Sequence, residues 1–305
     1  MQPSGIIILG TRGSELARTQ AHMVEEALRE KWPKLTIETQ VIKTKGDESV
    51  VDFMAGRKGL FTGAIEGALL EHEVDLAVHS AKDLPSNSNP RAPVAAVLSR
   101  APTDDVLVSK HASSFVGLRD GAVVATGSVR RKHQLHWKRP DLAVVDLHGN
   151  VPTRLRGLAE NDWDAIVLAR AGLERLGFSL MRHEIVFDAR TFFVEILPPE
   201  IFLPAGGQGV IAIQVRADDE SAREIVDVIN DRETLLCLRA EREFLRLLDV
   251  DCNAPVGVLA KIDSGAIKVR AQFFRSGAEA PREGEVEGAP DECERLAAEL
   301  WRKLQ

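Results

Sequence analysis

Val123-Val124-Ala125-Thr126-Gly127-Ser128-Val129-Arg130-Arg131 is a short apolar run, a turn of small residues, and the start of a helix with two arginines in its first turn. An apolar run of this length, bounded by a turn signal, reads as a buried strand. The same order recurs along the chain. Ile6-Ile7-Ile8-Leu9 passes through Gly10-Thr11-Arg12-Gly13 to Ser14, which is placed to cap a helix. That helix carries Ala17, Ala21, Val24 and Leu28 at helical spacing and ends before Pro33. Val144-Val145-Asp146 leads to a helix after Gly149-Asn150, and Ile166-Val167-Leu168 to one after Ala171-Gly172. Strands that alternate with helices predict an α/β fold.

Further strands are expected at Leu35 to Ile42, Leu76 to Val78 ending at His79, Val106 to Val108 and Val210 to Ile213. Helices are expected at Thr62 to Glu71 and from about Asp231 to Leu248. Near the C-terminus, Val256 to Ala260 and Ile267 to Phe273 read as paired strands and Pro290 to Lys303 as a helix. Ser276 to Pro290, polar and broken by glycine and proline, reads as a loop. These last pieces make a small α+β unit.

At 305 residues the chain is long enough for two or three domains with cores of their own. Hydrophobic residues make up 44% and charged residues 28%, the mix of a soluble globular protein. No apolar run is long enough to span a membrane, and Met1 to Leu9 lacks the pattern of a secretory signal. The net charge of −7 argues against a general nucleic-acid coat, so clustered arginines point to a local anionic ligand. Cys237, Cys252 and Cys293 are an odd, widely spaced set that fits a reducing compartment rather than a disulfide framework. No CxxC or HExxH occurs, so no zinc motif is indicated. There is no tyrosine to serve as an acid.

Arg12, Arg130-Arg131 and Arg154 each stand just beyond an expected strand. Helix N-termini offer free N–H groups, arginine adds bidentate recognition of carboxylate or phosphate, and ligands in open α/β sheets gather at the carboxyl ends of strands. Any one of these arginines is more readily a solvated charge; four at such turns favour a shared anion-binding cleft. Asp83, between Lys82 and Pro85, reads from its neighbours as a turn aspartate. The other reading makes it a carboxylate at the cleft floor, able to pair with a nitrogen cation or move a proton. Cys252 is either an inert thiol or an attachment site, and for the latter it must be accessible and ionise, which Asp251 opposes. Cys237 lies among leucines and reads as core. Lys58-Gly59-Leu60-Phe61 fits equally an anchored loop and a mobile lid that brings Lys58 to a carboxylate and Phe61 to a ring face.

Taken together, Thr11-Arg12-Gly13-Ser14, Lys58-Gly59-Leu60-Phe61, Ala77-Val78-His79-Ser80 with Lys82-Asp83, Ser128-Val129-Arg130-Arg131, Gly149-Asn150-Val151 with Thr153-Arg154, Ala171-Gly172-Leu173, Leu203-Pro204-Ala205 with Gly207-Gln208-Gly209, and Cys252 resemble the porphobilinogen deaminase family in collinear order. The resemblance implies two periplasmic-binding-protein-like α/β domains, residues 1–99 plus 210–229 and residues 104–203. It adds a small α+β domain over residues 230–305, with chain crossings near Ser99 to Thr103 and Leu203 to Gly209. It implies a transferase, hydroxymethylbilane synthase, that polymerises porphobilinogen with loss of ammonia to the linear tetrapyrrole hydroxymethylbilane. The primer is a covalent dipyrromethane joined by a thioether to Cys252. Asp83 is then the catalytic residue. Cys252, Lys82, Asp83, Ser128, Arg130, Arg131, Ala169 and Gly172 hold the cofactor. Arg12, Ser14, Lys58, Phe61, Thr126, His148, Asn150, Arg154 and Arg170 bind substrate, and no metal takes part. The implied setting is a cytoplasmic monomer that acts on a small molecule, without nucleic acid or membrane.

The chain also departs from the family pattern. His148 stands where an arginine is usual before Gly-Asn, and Arg170, at a usually small or apolar position, is expected to restore part of that charge. Gly63-Ala64 replaces a more polar pair, and Val250-Asp251 replaces a Gly-Gly pair before the cysteine. The stretch from Phe178 to Glu195 is longer than usual and reads as a lid, an interface or packing. The third domain is expected to be trimmed at its end. Two rival readings are a two-lobed anion-binding protein without chemistry and a homologue that has lost cofactor loading.

Overall fold

The computed structural model describes residues 5–43, 62–248, 255–275 and 280–305. Strand β1 (Ile6–Arg12) leads into helix α1 (Glu15–Lys31), whose N-cap Ser14 accepts from the Ala17 amide at 3.3 Å. The helix buries Ala21, Val24 and Leu28, the face its spacing predicts, and also Gln20. It packs on a five-stranded sheet ordered β2 (Thr36–Ile42), β1, β3 (Leu76–Ser80), β11 (Ile211–Gln214), β4 (Val94–Val97). β1 runs parallel to β2 and β3, while β11 is antiparallel to β3 and β4. Helix α2 (Gly63–Leu70) covers the other face with Ile65 and Leu69.

The second sheet has six strands, β7 (Ala143–Val145), β6 (Val123–Ala125), β8 (Ala165–Ala169), β5 (Asp105–Ser109), β10 (Arg190–Leu197) and β9 (Glu184–Phe187). Helices α3 (Val129–Lys138), α4 (Val151–Glu160) and α5 (Arg170–Arg175) follow β6, β7 and β8. The chain therefore leaves the first sheet after β4 and returns to it in β11. The two crossings lie side by side. The Ala101 amide donates to Gly209 O at 3.1 Å, and Gln208 Nε2 donates to Thr103 O at 2.7 Å. Gly209 has φ +85°, and a Cβ there would sit 2.3 Å from Ala101 O, so only glycine fits. Helix α6 (Glu220–Asp227) buries Ala222, Ile225 and Val226 in the core of the first sheet.

The rest of the chain forms an antiparallel sheet of β12 (Val256–Asp263), β13 (Ala266–Phe273) and β14 (Arg282–Gly288). It packs against α7 (Arg232–Leu247) and α8 (Cys293–Leu304) around Phe244, Val258, Val269, Leu296 and Leu300. β14 corrects the expected loop between Ser276 and Pro290. Its glycines are not turns: a Cβ on Gly288 would meet Leu296 at 2.9 Å, and one on Gly284 would meet Leu304 at 3.1 Å. They mark the close approach of α8, a second use of glycine in strands. The charged residues face out, with Lys268 of β13 3.1 Å from Glu285 and 3.7 Å from Glu287. The long Phe178 to Glu195 stretch contributes the β9–β10 hairpin. Its tip, Asp188-Ala189, has φ +48° and +60°, a turn that an Asp-Gly pair would have advertised. Phe192 is buried, and Phe178 and Phe187 pack on the same core, while Met181 and Val186 of the same stretch stand exposed.

The third sheet is tied to both crossings by Glu241 of α7, which is fully buried. Its carboxylate takes Arg100 Nη1 at 2.6 Å and Nη2 at 3.0 Å, the Gly207 amide at 2.6 Å and the Ala260 amide at 2.7 Å. Removing one partner of a buried pair leaves the other charge uncompensated. Glu241→Ala is expected to cost about 3–5 kcal/mol, read as a lower urea midpoint; a midpoint within error of the parent would show that this hub does not hold the units together.

Candidate active site

Strand order places the site. The parallel register Leu9–Leu76 and Gly10–Ala77 carries Arg12, the last residue of β1, to the level of His79 near the end of β3. Arg12, Ser14, Gln20, His79, Ser80 and Asp83 line one cleft at these carboxyl ends. Gln20 Nε2 donates to Ser80 Oγ at 2.9 Å and fixes the rim. His79 is buried and its pKa falls to about 4 through that burial, a hydrogen bond with Gln214 opposing the fall and Arg12 adding to it. The ring is therefore neutral at physiological pH. After β3 a single 3₁₀ turn, Ala81–Asp83, presents Asp83 to solvent and leaves Lys82 half-buried.

The second lobe carries the remaining site residues expected from the sequence among the described residues. Thr126 is buried, and its Oγ1 accepts from the Ser128 amide at 3.3 Å; Ser128 caps α3 by accepting from the Arg131 amide at 3.4 Å. A Cβ on Gly127 would meet Leu147 O at 2.4 Å, so the turns after β6 and β7 abut, with His148 beside them. Asn150 caps α4 through the Thr153 amide at 2.9 Å, and Arg154 Nε donates to Gly149 O at 2.6 Å. Ala169 caps α5. Gly172 is buried between the lobes, where a Cβ would make ordinary contact with Leu16 of α1 at 3.7 Å and Val151 of α4 at 3.8 Å.

Arg130 and Arg131 are both buried, and a single carboxylate, Asp105, holds them. Arg131 Nη2 donates to Asp105 Oδ1 at 2.6 Å, and Arg130 Nη1 lies 2.9 Å from Oδ2. Burial alone would raise the Asp105 pKa; the two guanidinium groups outweigh it and hold the carboxyl well below the ordinary range. Arg130 also donates to Leu203 O at 2.8 Å, which makes it a strut of the returning crossing. Arg131 faces the cleft's other cations. Burial drives the Lys82 pKa to about 8, with Asp83 opposing and Arg131 and Arg154 lowering it. Burial drives Arg154 to about 10, with Arg131 lowering it and Asp83 opposing. These shifts place Lys82 and Arg154 within the field of Asp83 and Arg131, with Asp105 also acting on Lys82.

Arg170 stands apart from that expectation. Its Nε donates to Glu174 Oε1 at 2.7 Å and its Nη1 lies 3.4 Å from Asp104 Oδ2, so its charge is offset within α5 and the crossing. Lys58, Phe61 and Cys252 lie outside the described residues. Sequence reasoning passed over Gln20, His79, Ser80 and Asp105. Gln20 had a signal, as the one polar residue on the apolar face of α1; Asp105 had a weaker one, an acid opening an apolar strand. Among the described residues no three His, Cys, Asp or Glu side chains converge as a metal site, and no helix is long and apolar enough to cross a membrane.

The folded-state pKa of Lys82 lies below its ordinary 10.5. The unfolded chain therefore binds more protons between pH about 8 and 10.5, and this group's contribution to stability rises with pH across that window. A titration of the Lys82 ammonium by NMR is expected to have its midpoint near pH 8 and to move up when a carboxylate ligand fills the cleft. A midpoint near 10.5 without ligand would show that the ammonium is not withdrawn from water.

Comparison with known proteins finds two family models. The porphobilinogen deaminase dipyromethane cofactor binding domain matches residues 7–224, and the porphobilinogen deaminase C-terminal domain matches residues 235–305. The porphobilinogen deaminase of Syntrophomonas wolfei is 41% identical over 298 residues, covering 97% of this chain and 94% of that one. That of Thermus thermophilus is 40% identical over 300 residues, covering 98% and 95%. Among solved structures, the methionine binding protein MetQ covers 75% of this chain and 92% of its own at 15% identity and a TM-score of 0.44.

Proposed function

From the premise that this chain belongs to the porphobilinogen deaminase family, we propose that its basic cleft condenses porphobilinogen units on a dipyrromethane primer, with Asp83 as the catalytic acid group. The observation that carries this reading is the exposed Asp83 carboxylate set among Lys82, Arg131 and Arg154. The residues present suit a polycarboxylate cofactor. Lys82 and Arg154 are both destabilised as cations, and Arg131 Nε is buried without a hydrogen-bond partner among the described residues. Carboxylates in the cleft relieve both deficits.

Lys82, Arg131 and Arg154 would hold the cofactor's acetate and propionate groups, with Cys252 as the thioether attachment. When bound, dipyrromethane supplies a free pyrrole α-carbon as the nucleophile. Arg12 and Ser14 bind the carboxylates of the incoming porphobilinogen, and the Gln20–Ser80 pair closes that side of the pocket. The substrate's aminomethyl C–N bond breaks with its electron pair leaving on nitrogen as ammonia, while the pyrrole nitrogen feeds electrons into the ring. Positive charge then grows on that nitrogen. Asp83 accepts the pyrrole N–H and stabilises this charge, and it receives the proton lost from the α-carbon after the new bond forms. His79, neutral at working pH, adds no competing cation to the pocket. Repetition gives a linear tetrapyrrole, which water releases as hydroxymethylbilane. The enzyme acts as a cytoplasmic monomer.

Three outcomes are expected. Intact-protein mass shows a dipyrromethane adduct that is lost in Cys252→Ala; an unmodified parent chain would remove the covalent primer. Asp83→Asn keeps its thermal transition but loses about 10²- to 10⁴-fold in turnover of porphobilinogen; full turnover would remove Asp83 from the chemistry. Arg170→Ala changes the KM for porphobilinogen by less than about twofold, because its charge is already met by Glu174 and Asp104 and such partly exposed pairs are worth little. A large rise in KM would restore Arg170 as a substrate contact.

A further inference from the structure

Asp105 is the group that the chemistry above leaves unused. It is fully buried at the start of β5, where the outgoing crossing enters the second sheet. Its Oδ1 accepts from Arg131 Nη2 at 2.6 Å and from Gln208 Nε2 at 2.9 Å, while its Oδ2 lies 2.9 Å from Arg130 Nη1. Three segments distant in sequence thus converge on one carboxylate: the outgoing crossing, the first turn of α3, and the returning crossing. Arg131 is fixed at a second point, since its Nη1 donates to Val167 O of β8 at 2.8 Å. A planar guanidinium held at both η nitrogens keeps one orientation. That guanidinium is also the one within the field of Lys82 and Arg154.

Resting on the porphobilinogen deaminase reading, we propose that Asp105 is a positioning residue for cofactor capture. It aims Arg131 at the cleft, and the grip of Gln208 on the same oxygen makes that aim depend on how the two crossings lie. Asp105 touches no ligand and acts through Arg131. Two variants separate aim from charge. Asp105→Asn removes both. Gln208→Leu leaves every charge in place and removes the bonds that Gln208 makes to Thr103 O of the outgoing crossing and to the carboxylate that orients Arg131.

Both variants and the parent chain are purified and compared by intact mass for the Cys252 adduct, by urea unfolding, and by the ¹⁵N signal of the Arg131 side chain. The parent is expected to carry the adduct and to show a sharp, slowly exchanging Arg131 Nε–H. The fraction carrying the adduct falls by about tenfold in Asp105→Asn, the scale on which losing the partner that orients a binding group is felt. It falls several-fold in Gln208→Leu, with the Arg131 signal broadened in both and a cooperative transition retained. Parent-level loading in either variant overturns the proposal. Should Asp105→Asn fail to fold, Gln208→Leu decides alone. A parent chain without adduct overturns the porphobilinogen deaminase reading itself, and this inference with it.

Discussion

Two carboxylates without contact to water hold this molecule's parts in register. Asp105 joins the start of β5 to the arginines of α3 and to Gln208; Glu241 joins α7 and β12 to Arg100 and the Gly207 amide. Burying a charge is expensive, and it is tolerated only where partners and hydrogen bonds fill the remaining lone pairs. Glu241 meets that condition in full; Asp105 meets it at Oδ1, while Oδ2 has the Arg130 guanidinium 2.9 Å away but no hydrogen bond among the described residues, and both sites lie at the crossings. The place where the chain passes between lobes is therefore the most heavily specified part of the fold. A loose linker would leave the carboxyl ends of β1, β3 and β6 free to drift apart, and the cleft exists only while those ends face each other.

The same constraint shapes the electrostatics of the cleft. Asp105 answers two arginines with one charge, so the hub carries a surplus of positive charge toward Lys82 and Arg154. Burial, more than any neighbouring charge, brings the pKa of Lys82 to about 8 and that of Arg154 to about 10. The surplus costs stability in the empty protein and favours any ligand that brings carboxylates. A site that was locally neutral would hold such a ligand less firmly. Among the described residues Asp83 is an exposed acidic group amid those cations, which suits a role met by charge that appears only during reaction.

Much of this was legible in the chain. Strand and helix alternate as the pattern of apolar runs predicts, and the cap at Ser14 falls where it was expected, but Gly10–Arg12, read as a turn, extend β1, and β8 runs directly into α5, which contains Ala171 and Gly172 instead of following them. The crossings follow from the family resemblance rather than from a local signal; the outgoing one, Ser99 to Thr103, has no glycine. What sequence did not show was direction. Arg130 and Arg131 are adjacent, yet one braces Leu203 while the other turns to the cleft's cations, and nothing in their order distinguishes them. β14 was hidden because glycines chosen for close packing look like glycines chosen for turns. The β9–β10 hairpin was hidden because its tip uses Asp188-Ala189. Gln20 was hidden by its company, a polar residue on an apolar face whose partner, Ser80, lies on another element.

Helix α5 shows how misleading a count of arginines is. Arg170 opens the helix and Arg175 closes it, and by sequence they are equivalent cations. Arg170 is met by Glu174 and Asp104, which raise its pKa. Arg175 has no carboxylate among the described residues; its Nη2 donates to Gly209 O at 2.7 Å, and burial lowers it to about 10. The helix thus contributes its unbalanced charge at the crossing end, beside Gly209. Charge in a folded chain is what remains after neighbours have been counted, and only the neighbours supplied by the fold complete that count.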